Sequence, residues 1–184
     1  MRIKDCEKER RVKEAVVKLF LREGIEGTSI SKIAREAGVS PATVYIYYEN
    51  KEQMMTNIYR EYASGTYAYL MQRVREDMDG PQLVRALVRG YYDYITENRE
   101  IYSFVEQCSH CPSMNEELRD VCRIFDLMEE MKARGYLRRY SNENLAALMF
   151  YPVKAITVEF PVGDQRAEAL LEELIEIIQR AILL

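Results

Sequence analysis

AGVSPATVYIYYENKEQM, residues 37–54, decides how the rest of the chain is read. Gly38, Ser40 and Pro41 place a helix stop and a helix start in immediate succession. A glycine adopts the left-handed backbone that closes a helix, a serine caps the next one, and proline is tolerated in a first turn. Just upstream, Ile30, Ile33, Ala34 and Ala37 form a short apolar stripe with Ser29 as its cap. Before that, Val12, Ala15, Val16, Leu19 and Phe20 follow the i, i+3, i+4, i+7, i+8 rule of an amphipathic helix that Gly24 stops. Short helices joined by a tight G-V-S turn have the form of a helix-turn-helix.

At about 100° per residue, Val44 and Tyr48 fall on one side of the third helix and, with Val39, face the first two helices. Ala42, Thr43 and Ile46 point the other way, with Tyr45 and Tyr47 on the two edges. A helix lying in the major groove has a phosphate backbone on each side. A tyrosine on each edge can give its O–H to phosphate and fix register. Lys51 can pair with a phosphate as a charge. Ser40, Pro41 and the helix start sit closest to the groove, and Ser29 and Ser31 reach the backbone. No Arg, Asn or Gln stands on the outer face, so the expected readout is thymine methyls, a Thr43 hydrogen bond and shape. The same tyrosines would suit the edges of a plain helical bundle. The coincidence of caps, edge geometry, Lys51 and local charge favours double-stranded DNA as a partner.

The charge distribution agrees. Residues 1–51 hold 11 Lys and Arg against 8 Asp and Glu, a net of +3, on a chain whose overall charge is −4. A basic end on an acidic body suits a polyanion at that end only. The chain of 184 residues is 48% hydrophobic and 30% charged, ordinary for a globular protein. No apolar run approaches the ~18 residues of a membrane span. The N-terminal MRIKDCEKERR lacks the apolar core of a signal peptide, so no membrane association and a cytoplasmic location are expected.

A fourth helix is expected from near Asn50 to about Met78, broken by Gly80-Pro81. Further helical segments follow over 82–98, 101–111, 114–134, 142–159 and 164–183. No alternation of period two appears. The expected fold is all-α, with about nine helices: an N-terminal three-helix helix-turn-helix head over 1–49 and a larger helical body over 50–184.

Residues Thr28 to Ala34 (TSISKIA), Ala37 to Tyr45 (AGVSPATVY) and Tyr47 to Glu52 (YYENKE) resemble the N-terminal signature of the TetR family of transcriptional regulators. The family pattern usually has glycine where Ala42 stands and phenylalanine where Tyr48 stands. It often has a basic residue at Ser31 and an acidic one at Lys32. Those departures bear on the operator sequence. The resemblance implies a homodimeric repressor with a DNA-binding head, a divergent ligand-binding and dimerisation body, and a palindromic operator. It also implies a small-molecule effector that shifts the fourth helix and changes the separation of the two heads.

In the body, the last helix carries Leu170, Leu171, Leu174, Ile175, Ile177, Ile178, Ala181 and Ile182, a stripe too wide for one core. It is either central to the monomer or shared with a partner. The expectation is a partner, contacted by Leu171, Leu174, Ile175, Ile178 and Ile182, with 142–159 completing a four-helix interface as in the family. Pro152 should break hydrogen bonding locally in the penultimate helix. The middle of the chain is rich in tyrosine and methionine. Tyr62, Tyr69, Tyr91, Tyr94, Phe104, Cys108, Phe125, Met128 and Met149 are the candidate lining of a largely apolar effector site, and the same residues also suit a plain core.

Cys108-Ser109-His110-Cys111 holds a C-x-x-C and the sole histidine, and Cys122 follows. Core packing, redox sensing and metal sensing all remain open for it, so a thiol- or metal-responsive regulator acting through Cys108 and Cys111 is the alternative. No metal and no cofactor is expected otherwise. An enzyme is disfavoured: there is no G-x-S-x-G, no phosphate-cradling glycine loop and no H-E-x-x-H. A helical adaptor whose head binds protein is a further rival, separable by salt-sensitive duplex binding.

Overall fold

The computed structural model describes residues 5–109 and 123–184. Among the described residues there are nine helices: α1 (Cys6–Gly27), α2 (Ile30–Glu36), α3 (Pro41–Tyr47), α4 (Lys51–Met71), α5 (Gly80–Glu97), α6 (Arg99–Ser109), α7 (Arg123–Ala133), α8 (Asn142–Glu159) and α9 (Gln165–Ile182). An isolated β-bridge joins Leu137 to Leu183.

Local chemistry sets most of the boundaries. The Asp5 carboxylate accepts from the backbone N–H groups of Glu7 and Lys8 to start α1. Gly24, at φ +70°, kinks α1 near its end, and the Thr28 hydroxyl donates to the Gly24 carbonyl at 2.8 Å. Ser29 and Ser40 cap α2 and α3 by accepting from Lys32 and Thr43. At the end of α2, Gly38 has φ +64°. Its N–H donates to the Arg35 carbonyl and that of Val39 to the Ala34 carbonyl. Those two bonds are a Schellman closure, which turns the chain sharply into α3.

Two expected boundaries differ. The fourth helix stops at Met71, not near Met78. The N–H groups of Arg73 and Val74 reach back only three residues, to Leu70 and Met71, and the Arg73 guanidinium folds over the Tyr69 ring at 3.6 Å. Gly80 and Pro81 form the first turn of α5, entered through a reciprocal Asp79–Gln82 capping box. Proline fits there because a first-turn N–H has no intrahelical acceptor to lose.

Packing divides the chain into two compact units. The first comprises α1, α2, α3, α4 through Ala63, and α6. Its core joins Val12, Val16, Leu19 and Phe20 of α1 to Ile33, Val44 and Tyr48, and to Met54, Met55, Ile58 and Tyr59 of α4. Phe104 and Cys108 of α6 complete it, Phe104 meeting Phe20 edge-on at 5.1 Å and Tyr62 at 6.2 Å between ring centroids. This unit therefore takes in more than residues 1–49.

The second unit comprises α4 from Ser64, α5, α7, α8 and α9. Helices α5, α8 and α9 pack on one another, burying Leu83, Val84, Leu87 and Val88, then Leu145, Met149 and Val153, then Leu171, Ile175, Ile178 and Ile182. Each such side chain contributes roughly 1.5–3 kcal/mol by burial. Of the expected partner-facing set on the last helix, Leu171, Ile175, Ile178 and Ile182 are buried within the chain, and Leu174 is partly exposed. Pro152 sits inside α8, half-buried, and leaves the helix continuous over Asn142–Glu159. No helix of the described residues is long and apolar enough to cross a membrane.

Candidate nucleic-acid interface and body sites

The outer surface of α3 follows from what its inner side buries. Val44 is fully enclosed and Tyr48 nearly so, with burial and then the charges of Glu9 and Glu61 pushing the Tyr48 phenol well above its ordinary range. That leaves Ser40, Pro41, Ala42, Tyr45 and Ile46 exposed and Thr43 half-buried. Tyr45 is 56% exposed and Ile46 39%. The Tyr45 hydroxyl has no hydrogen-bond partner among the described residues. Ser40 Oγ and Thr43 Oγ1 lie 2.9 Å apart, so the two hydroxyls share one bond while Ser40 caps the helix. Ser29 and Ser31 are both exposed at the start of α2.

Two expected phosphate contacts have partners within the chain. The Tyr47 hydroxyl donates to the Asp5 carbonyl at 2.9 Å. The Lys51 ammonium donates to the Ile25 carbonyl, tying the start of α4 to the end of α1. An ammonium has three N–H groups, so Lys51 retains donors, whereas a phenol has one proton to give. Lys32 is engaged as well, by Glu23 at 2.6 Å and the Gly27 carbonyl at 2.8 Å, and this pairing holds the Glu23 carboxyl below its usual range. Lys18 and Arg35 are exposed cations with no ion pair among the described residues. The sequence did not single them out, because only tertiary placement separates paired from unpaired surface charge.

The expected effector-lining residues are divided between the units. Phe104 and Cys108 are fully buried in the first unit's core, and Tyr62 packs against it half-buried. In the second unit Met128 and Met149 are fully buried, Tyr91 meets Phe150 edge-on at 5.0 Å, and Phe125 is half-buried. Tyr69 and Tyr94 meet edge-on at 5.2 Å. Tyr69 donates to Glu97 at 2.6 Å, and burial together with that carboxylate pushes its phenol up to about 12. Cys108 is thus a core thiol, while His110, Cys111 and Cys122 lie outside the described residues. Among the described residues no cluster of three or more His, Cys, Asp or Glu is arranged to hold a metal.

An outward apolar surface runs along α8 and α9, the two helices expected to form the interface, on residues other than those named for it apart from Leu174. On α8, Leu148, Tyr151, Ala155 and Val158 are exposed at i, i+3, i+7, i+10, Tyr151 at 64% and Val158 at 85%. On α9, Leu170, Leu174, Ile177 and Ala181 follow i, i+4, i+7, i+11 outside the buried stripe, Ile177 at 54% exposure.

An all-α chain in which a Schellman turn closes α2 and a capped, solvent-facing α3 follows has the helix-turn-helix form of a DNA-binding transcriptional regulator. Residues 14–58 match the family model of bacterial regulatory proteins, tetR family. An HTH-type transcriptional regulator of Haemophilus influenzae is 26% identical over 176 residues, covering 91% of each chain. A TetR family transcription regulator from Marinobacter aquaeolei has the same fold, with a TM-score of 0.84 at 23% identity over 100% of this chain and 99% of that one. So does the transcriptional regulator FadR from Bacillus subtilis in complex with stearoyl-CoA, with a TM-score of 0.71 at 17% identity over 92% and 97%. Residues 14–58 are thus similar to the tetR family of bacterial regulatory proteins, and the chain has the fold of solved TetR family regulators.

Proposed function

We propose that this regulator is a homodimeric repressor that occupies a palindromic operator and leaves it when a small, largely apolar molecule binds its body. The observation that carries the DNA-reading part is the exposed set Ala42, Tyr45 and Ile46 on a short helix anchored by Val44 and Tyr48. Ala42 and Ile46 suit thymine methyls, Thr43 a base edge, and Tyr45, Ser29, Ser31 and Lys51 the flanking phosphates. Tyr47 braces α3 against α1.

The outward stripes of α8 and α9 supply the dimer surface: an apolar face shared between two helices is self-complementary about a two-fold axis. A two-fold protein presents two α3 helices about 34 Å apart, one turn of duplex, which selects a palindrome. A dimer seated there blocks access of polymerase to an overlapping promoter. For the effector, the aromatic and methionine content of the second unit fits an apolar compound, and the FadR likeness, a protein described with stearoyl-CoA, makes long-chain acyl compounds the first to try.

Selection from a random duplex pool by the purified protein, with Tyr45→Ala and Lys51→Ala beside it, tests the reading. An enriched palindrome that both variants bind at least about ten-fold more weakly supports it. No enrichment at low salt sinks it.

A further inference from the structure

We infer that a cleft of the second unit, lined by four arginines from the turn after α4 and from α5, binds a small organic phosphate. This site adjoins Tyr69 of the candidate effector lining and goes beyond the operator reading. The cleft, open to solvent, has a volume of about 340 Å³, within the range of small-molecule sites. Arg73, Arg75, Arg85 and Arg89 line it against a single acid, Asp93. Met78, Ala86 and Gly90 give it an apolar floor.

Arg73 is the key cation. Its guanidinium lies over the Tyr69 ring at 3.6 Å and donates to the Tyr69 carbonyl at 3.3 Å, and no carboxylate among the described residues pairs with it. Tyr69 is itself held by Glu97. Gly90 seats the arginine stem: a Cβ at that position would come within 2.8 Å of Arg73 Cδ. Arg73 is therefore an oriented, half-buried charge with no salt bridge among the described residues, Asp93 of the same cleft acting on it only through space, so little side-chain freedom remains to be lost on binding. Arg85 and Arg89 share Glu172, at 2.5 and 3.5 Å, and Arg89 also meets Glu168 at 2.7 Å and Asp93 at 3.3 Å. Such partly exposed bridges are individually weak. A phosphate offers several oxygens to planar guanidinium forks and can compete for these arginines with their exposed carboxylates. Burial raises the Asp93 carboxyl above its ordinary range, which lessens its competition. The volume of the cleft suits a small molecule, and the floor suits its organic part.

Isothermal titration of the full chain with phenyl phosphate and with inorganic phosphate, at low salt, tests the site. Phenyl phosphate is expected to bind about five-fold more tightly than inorganic phosphate, from contact with the floor. Arg73→Gln should weaken phenyl phosphate about ten-fold, and Glu172→Gln, which frees Arg85 and removes one of the three carboxylates on Arg89, should tighten it. Circular dichroism confirms that each variant is folded. Arg85→Gln, at a half-exposed position, serves as a second removal of charge and should also weaken binding. No saturable heat from the wild type, or a Kd that Arg73→Gln, Arg85→Gln and Glu172→Gln all leave unchanged, overturns the site. Equal affinity for the two phosphates overturns its assignment to an organic ligand.

Discussion

Tyr47, at the end of α3, donates its phenolic proton to the main-chain carbonyl of Asp5, the residue that caps α1, at 2.9 Å. Two positions earlier, Tyr45 leaves its hydroxyl in solvent. The two edge tyrosines of α3 thus have different work. Tyr47→Phe should lower stability by about 1 kcal/mol in urea unfolding while operator affinity stays within about two-fold. Tyr45→Phe should do the reverse, since a lost phosphate contact weakens binding without touching the core. A large loss of DNA affinity in Tyr47→Phe at unchanged stability would return that proton to a phosphate.

The turn between α2 and α3 depends on one backbone conformation. Gly38 has φ +64°, and a Cβ there would meet only Arg11 Nη1, at 3.5 Å. Space is therefore not the obstacle; the left-handed backbone is. Gly38→Ala should cost about 1–2 kcal/mol. Gly65, inside α4 with nothing near its would-be Cβ, should respond oppositely, Gly65→Ala gaining roughly 0.5–1 kcal/mol. Urea midpoints of the two variants measure both, and a stabilised Gly38→Ala would refute the turn argument.

The helix-turn-helix was legible because its determinants are local. Ser29, Gly38, Ser40 and Pro41 act on backbone groups within a few residues, so their spacing alone announces the turn. The last helix was less legible for a geometric reason. Apolar residues at 170, 171, 174, 175, 177, 178, 181 and 182 wrap more than half its circumference. Periodicity cannot say which half meets α5 and α8 and which faces outward; a rotation of about 100° separates the two answers. The placement of Phe104 and Cys108 was hidden for a similar reason. Their segment looks like body in sequence order, yet α6 returns to pack on Phe20. The arginine cleft carried only the i, i+4 spacing of Arg85, Arg89 and Asp93 as a signal, which any solvated helix face shows.

Tyr69 should make the protein sensitive to alkali. Burial and the Glu97 carboxylate raise its phenol from 10.0 to about 12. With the folded value above the unfolded one, its contribution to stability is complete below pH 10 and is lost as pH rises toward about 12. The unfolded chain ionises first, and that draws the equilibrium toward it. Urea midpoints taken at rising pH above 10 should fall more steeply for the wild type than for Tyr69→Phe. Parallel slopes would show that this phenol titrates as an ordinary one.

Self-association separates the outward stripes of α8 and α9 from the buried stripe of α9. Val158 and Ile177 are outward and Leu171 is sealed in the monomer core. Val158→Asp with Ile177→Asp should leave helicity intact and shift sedimentation toward the monomer, because two charges then sit where an apolar face must be desolvated. Operator affinity should fall with it, since a monomer presents one recognition helix to a two-fold site. Leu171→Ala should instead cost about 2–5 kcal/mol of stability through the cavity it leaves, with association altered only as far as folding is. If the double aspartate variant sediments as the wild type does while Leu171→Ala dissociates without losing stability, the buried stripe is the shared one, and α9 turns its other face to its neighbour.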